Sequence, residues 1–172
     1  MEEKIINEIK NNDFTNIEEI IKMYSPLGFR ILLNFTGSPI EAEEILQDIW
    51  VHIYDKIGSI KEPQKFKYWF LSVVYNRIKN HKFRKNEELN ENIPYENNPY
   101  IDKDIEKKII KIVKEMDIKY QMPIVLFYFE NLSYNEISQV LNKNVNTIKS
   151  LIKRGKEIIK EKLIEEGIKW KD

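Results

Sequence analysis

The stretch LSYNEISQVLNKNVNTIKSLIKRGKEIIKEKL, residues 132–163, decides how the rest of the chain is read. Ser133 followed by Glu136 is the pattern of a capping box, in which a hydroxyl and a carboxylate each satisfy a backbone N–H that the start of a helix leaves open. It predicts a short helix from Tyr134 to about Leu141 that buries Ile137, Val140 and Leu141. Asn142 stands where the chain must turn sharply, and Asn tolerates a left-handed backbone better than any residue except Gly. Asn144 can cap a second helix, in which Val145, Ile148, Ile152 and Ile159 face inward while Asn146, Thr147, Lys149, Ser150, Lys153 and Arg154 face out. Two helices hinged in this way form a helix-turn-helix, whose second helix lays its N-terminal half against base edges in the major groove. Lys and Arg neutralise phosphates or pair with guanine, and Asn, Thr and Ser donate or accept. An ordinary helical hairpin with a solvated basic face shares the apolar spacing, but does not call for the capping box, the turn Asn and the outward polar cluster together.

A helix built to read DNA sits oddly in a chain with 28 basic and 28 acidic residues and no net charge. The neutrality comes from segregation. Residues 38–55 carry five acids and no Lys or Arg, residues 61–85 are net +7, residues 86–106 net −6, and residues 133–163 net +4. Screening at physiological salt acts over about 8 Å, so a basic face does not feel acids several nanometres away.

The remainder reads as helix around one loop and one linker. Gly is scarce, and apolar residues recur at helical spacing at Ile5, Ile6 and Ile9, then at Ile17, Ile20, Ile21 and Tyr24. A helix is expected from about Pro26 to Phe35. Ser38-Pro39-Ile40-Glu41 is a strong start signal, with a Ser cap, Pro at the first helical position and Glu placed to close a capping box. That helix should stop at Gly58, with Ala42, Ile45, Leu46, Ile49 and Ile53 inward and Glu41, Glu44, Gln47, Asp48 and Asp55 outward. Residues 58–65 form a connector. The segment 66–85 holds Phe66, Tyr68, Trp69, Phe70 and Tyr75, followed by Arg77, Lys79, Lys82, Arg84 and Lys85. Basic charge beside aromatic rings is what single-strand binding uses, although Trp69 and Phe70 also suit a core. Residues 86–106, rich in Asn, Pro and acid without helical period, mark a domain boundary.

The expectation is therefore an all-α chain of two small helical domains, residues 1–86 and 107–172, joined by a flexible acidic linker at 87–106. With no cysteine, disulfides, thiolate metal sites and cysteine nucleophiles are excluded. No apolar run reaches the roughly 20 residues of a membrane span, and the acidic, amphipathic N-terminus is unlike an export signal, so a soluble, cytoplasmic protein is expected.

In this order the segments resemble a bacterial sigma-70 family transcription initiation factor of the small extracytoplasmic-function (ECF) type, or the related compact toxin-gene sigma factors. EAEEILQDIW at 41–50 is similar to that family's region 2.2, FKYWFLSVVYNRIKN at 66–80 to its regions 2.3 and 2.4, and residues 122–163 to its region 4. The resemblance implies a promoter-specificity subunit with a sigma2-like bundle and a sigma4-like helix-turn-helix, monomeric when free. Glu44, Leu46, Gln47 and Asp48 would dock on the clamp helices of the largest subunit of core RNA polymerase, and the second domain on the flap of the second largest. Lys61, Lys65, Asn76, Lys79 and Asn80 would capture the non-template strand of the minus-ten element, including a flipped base. Asn146, Thr147, Lys149, Ser150, Lys153 and Arg154 would read the minus-thirty-five element as duplex. An anti-sigma partner is common in the family. Four positions depart from its pattern: Asn80 replaces an acid, Phe83 a basic residue, Asn142 the turn Gly and Leu151 a frequent Arg or Lys.

Two other classes stay open on the residues alone. An enzyme would need a motif that is not here: there is no phosphate loop or dinucleotide glycine pattern, His52 and His81 are far apart in sequence, and the acids of the 41–48 face are a common solvated pattern. No catalysis, metal or cofactor is expected. A conventional helix-turn-helix regulator acting as a dimer would explain residues 107–163 but not the aromatic-basic helix. A purely structural helical interaction protein would lack the steep salt dependence of phosphate binding.

Overall fold

The computed structural model describes residues 2–11, 13–81 and 103–168. The chain divides into two units, Met1–Asn90 and Glu91–Asp172. Every regular element among the described residues is helical.

The first unit contains α1 (Glu2–Lys10), α2 (Ile17–Thr36), α3 (Pro39–Lys56) and α4 (Phe66–Asn80), with two 3-10 turns at Ile57–Ser59 and Pro63–Lys65 between α3 and α4. Helices α2, α3 and α4 pack on one another, and α1 lies against the two turns. Phe66 and Phe70 are fully buried at the centre, with Tyr24 edge-on to Phe66 at 5.0 Å and Trp50 5.3 Å from Phe70. The Trp50 indole N–H donates to Ser25 Oγ at 2.9 Å, so its one polar atom is satisfied.

Helix α2 corrects the expected start at Pro26, because it runs unbroken from Ile17 through that proline. An interior proline loses a backbone hydrogen bond and costs about 3 kcal/mol. Ile20 and Tyr24 before it and Ile31 and Leu32 after it are buried on one face, so packing holds both halves in line while Pro26 itself is exposed. Gly37, at φ 68°, ends the helix by donating to the carbonyl of Leu33.

The start of α3 also differs in part. Ser38 Oγ accepts from the Glu41 N–H at 3.3 Å as expected, but the Ser38 N–H is taken by Thr36 Oγ1 at 3.1 Å. Glu41, expected on the outward face, is buried. It stands one turn before Ile45 and two before Ile49, at the edge of the inward stripe, and faces His81 at the end of α4.

The second unit contains α5 (Lys103–Lys114), α6 (Ile118–Ile124), α7 (Tyr134–Leu141) and α8 (Val145–Glu165). Residues 103–106 of the expected linker are the first turn of α5. Asp104 and Glu106, expected in the acidic linker, lie in this first turn, where acids are favoured by the exposed N–H dipoles. Linker residues 87–102, and Phe83, lie outside the described residues. Asp117 caps α6 through the Lys119 N–H, and α6 passes into a π-helical turn, Val125–Phe129. Met122, Ile124, Val125 and Leu126 form the core against α8, which packs on Ile124 at buried Gly155.

Candidate nucleic-acid interface

The helix-turn-helix forms as its local signals dictate. Ser133 Oγ accepts from the Glu136 N–H, and the Glu136 carboxylate accepts from the Ser133 N–H at 2.8 Å, closing the box. Asn142 takes the left-handed backbone, φ 49° and ψ 50°, and with Lys143 it directs its N–H to the carbonyl of Ser138. Two residues on, Asn144 Oδ1 accepts from the Thr147 N–H at 2.7 Å and starts α8. Three residues thus reverse the chain and join the two helices.

Along the first three turns of α8, Asn146, Lys149, Ser150, Lys153 and Arg154 are exposed and Thr147 is half-buried. Ile148 and Ile152 anchor the opposite side, while Val145 is half-buried. The outward residues differ in how much bonding capacity they have left. The Thr147 hydroxyl donates to Asn144 Oδ1 and the Ser150 hydroxyl to the carbonyl of Asn146 at 3.0 Å, so each has acceptor capacity left for a ligand. Lys149 Nζ lies 5.8 Å from the centre of the Tyr134 ring. Arg154 reaches Glu157 at 3.1 Å and Glu161 at 3.3 Å, and its hydrogen bond to Glu157, with the nearby charge of Glu161, holds its guanidinium above the usual Arg pKa.

In the first unit Lys61, Lys65, Asn76, Lys79 and Asn80 are all exposed. Lys61 and Lys65 lie in the connector ahead of α4, and Lys65 is paired to Glu62 at 2.8 Å. Asn76, Lys79 and Asn80 occupy the last two turns of α4, whose Val74 and Ile78 are buried. Of the aromatic run, Phe66 and Phe70 are core, while Tyr68, Trp69 and Tyr75 are half-buried and keep part of their rings at the surface.

On α3, Glu44, Gln47 and Asp48 are exposed side by side, but Leu46 is buried and points at α2, where a Cβ on Gly28 would stand 2.9 Å from its Cδ1. Its side chain belongs to the core, so it must be removed from the set offered as a docking surface. Asp48 is paired with Arg77 of α4, a contact between segments 29 residues apart that helical spacing could not reveal. Nor could it reveal the contact of Glu41 Oε1 with His81 Nε2 at 3.2 Å. None of the helices among the described residues is long and apolar enough to cross a membrane.

Residues 20–88 match sigma-70 region 2, and residues 106–159 match sigma-70, region 4. Over almost its whole length the chain is similar to the ECF RNA polymerase sigma factor SigW of Bacillus subtilis, with 24% identity covering 95% of this chain and 97% of that protein. It is also 26% identical to SigM of the same species, over 84% of this chain and 93% of that one. Among solved structures, CnrH in complex with the cytosolic domain of CnrY superposes with a TM-score of 0.73 at 13% identity, covering 95% of this chain and 97% of CnrH. RpoE of Bartonella quintana, in complex with the anti-sigma factor NepR, gives 0.65 at 15% identity over 85% and 95%.

Proposed function

Because the chain belongs to the sigma-70 family, has both its region 2 and its region 4 and is a sigma factor of the ECF type, we propose that it binds core RNA polymerase and directs it to promoters with two spaced elements. The observation that carries this reading is the pairing, in one chain, of a capped helix-turn-helix with a polar, basic outer face and a second helix whose basic end follows a partly exposed aromatic run.

In this reading α8 enters the major groove of the minus-thirty-five element. Lys149, Lys153 and Arg154 neutralise phosphates or pair with guanine edges, and Asn146, Thr147 and Ser150 supply short polar contacts. The connector with Lys61 and Lys65, and the end of α4 with Asn76, Lys79 and Asn80, grip the non-template strand of the minus-ten element once it opens. Stacking of a base on a partly exposed ring is worth about 1–3 kcal/mol and would favour the single strand over the duplex. Glu44, Gln47 and Asp48 give α3 an acidic outer face for the clamp helices of the polymerase, and the second unit docks on the flap. The site of action is the cytoplasm, where polymerase and promoters meet. An anti-sigma partner completes the proposal, supported by the complex of RpoE with NepR.

The test is transcription by bacterial core polymerase, with and without this protein, on a pool of genomic promoter fragments. New start sites preceded by two shared, spaced elements are the expected result. Failure to bind core polymerase or to change its start sites would overturn the proposal.

A further inference from the structure

We propose that Glu41 and His81 form a clasp that fixes where α4 ends, which makes them positioning residues for the minus-ten contacts at Lys79 and Asn80; this rests on the function proposed above. Glu41 is the third residue of α3, where a carboxylate ordinarily bonds back to the N–H of its own helix cap. Here the Ser38 N–H is held by Thr36 Oγ1, and the Glu41 side chain turns inward, with 10% of its surface exposed. Its Oε1 lies 3.2 Å from Nε2 of His81, 40 residues along the chain. A buried carboxylate is tolerated only where donors meet it, and the start of α3 adds favourable N–H dipoles.

His81 is the residue at which the chain leaves α4. Its backbone turns extended, φ −84° and ψ 132°, while its N–H still donates to the carbonyl of Ile78. Lys79 and Asn80, just before it, are exposed, and in this last turn Ile78 is the residue whose side chain is buried. Helix ends so lightly anchored fray. The clasp ties this end to the start of α3, and so holds Lys79 and Asn80 in register for a strand that must be met in one geometry.

The test uses the full chain, alone and assembled with core polymerase on a duplex promoter selected from a randomised pool. Glu41→Ala and His81→Ala should each speed amide exchange at residues 78–81 and lower the open-complex fraction, seen by permanganate reactivity, by about tenfold. Glu41→Gln and His81→Gln keep an acceptor and a donor at similar reach and should stay within about threefold of the parent. The double Ala variant should be no worse than either single one, while polymerase binding and upstream duplex binding are unchanged throughout. Independent, multiplying losses would overturn the clasp, as would unchanged exchange at 78–81, or equal losses in polymerase binding that mark a general defect. If exchange responds but the parent holoenzyme opens no promoter, the function proposed above fails, and the positioning role falls with it.

Discussion

Gly155 shows how one missing atom sets the second unit. A Cβ there would stand 2.7 Å from Cγ1 and 3.0 Å from Cδ1 of Ile124, so α8 lies on α6 only because position 155 has no side chain. Gly155→Ala gains about 1 kcal/mol of helix propensity in isolation. The clash should reverse that sign and give a net loss of about 1–3 kcal/mol, read by denaturant unfolding. Adding Ile124→Val removes the crowded Cδ1 methyl while leaving Cγ1, and should recover part of the loss. The turn at Asn142 has the opposite tolerance. Its φ of 49° is within reach of Gly without strain, so Asn142→Gly should leave stability nearly unchanged, whereas Asn142→Val should lower it by about 1–2 kcal/mol. If both substitutions cost the same, side-chain bonding rather than backbone conformation holds the turn.

The same distinction between local and distant causes governs what could be read at the level of elements. The capping box at Ser133, the left-handed Asn142 and the Asn144 cap are contained within three or four residues, and each is legible in the sequence. Pro26 is not. Whether a proline breaks α2 depends on the partners of Ile20 and Ile31, residues brought together only by folding, whereas helical spacing already set Leu46 on the inward stripe of α3, against its use as a docking residue. Glu41 and Asp48 fell on a readable acidic face, but their partners lie far along the chain, Arg77 on α4 and His81 just past its end. Within α8 the outward charges were legible while their mutual pairing was not. Arg154 is held by Glu157 and Glu161, one and two turns further on. Exposed pairs of this kind are worth about 0–1 kcal/mol, so a DNA phosphate can compete for the guanidinium. Replacing both acids, Glu157→Gln with Glu161→Gln, should strengthen holoenzyme binding to a selected promoter by about three- to tenfold and steepen its salt dependence. Unchanged affinity would mean that Arg154 takes no part in the interface.

For the molecule as a whole, the zero net charge constrains little, because its units of charge lie in separate blocks. The two recognised regions carry net basic segments, at 61–85 and 133–163, and the compensating acids lie in residues 86–106 and in α3, where Asp48 pairs with Arg77 of α4. If local charge governs binding, moving one charge along α8 should matter even when the total is preserved. Lys149→Glu combined with Glu165→Lys does this. The two positions are about 24 Å apart at the rise of a helix, some three screening lengths. The double variant keeps a net charge of zero, yet it should bind a selected promoter about tenfold more weakly, with the slope of log affinity against log salt reduced by about one to two. Glu165→Lys alone should leave binding nearly unchanged, since position 165 lies at the far end of the helix from the groove-facing turns. Should the double variant bind as the parent does, the total charge would be the controlling quantity after all, and α8 would lose its assignment as the reading helix.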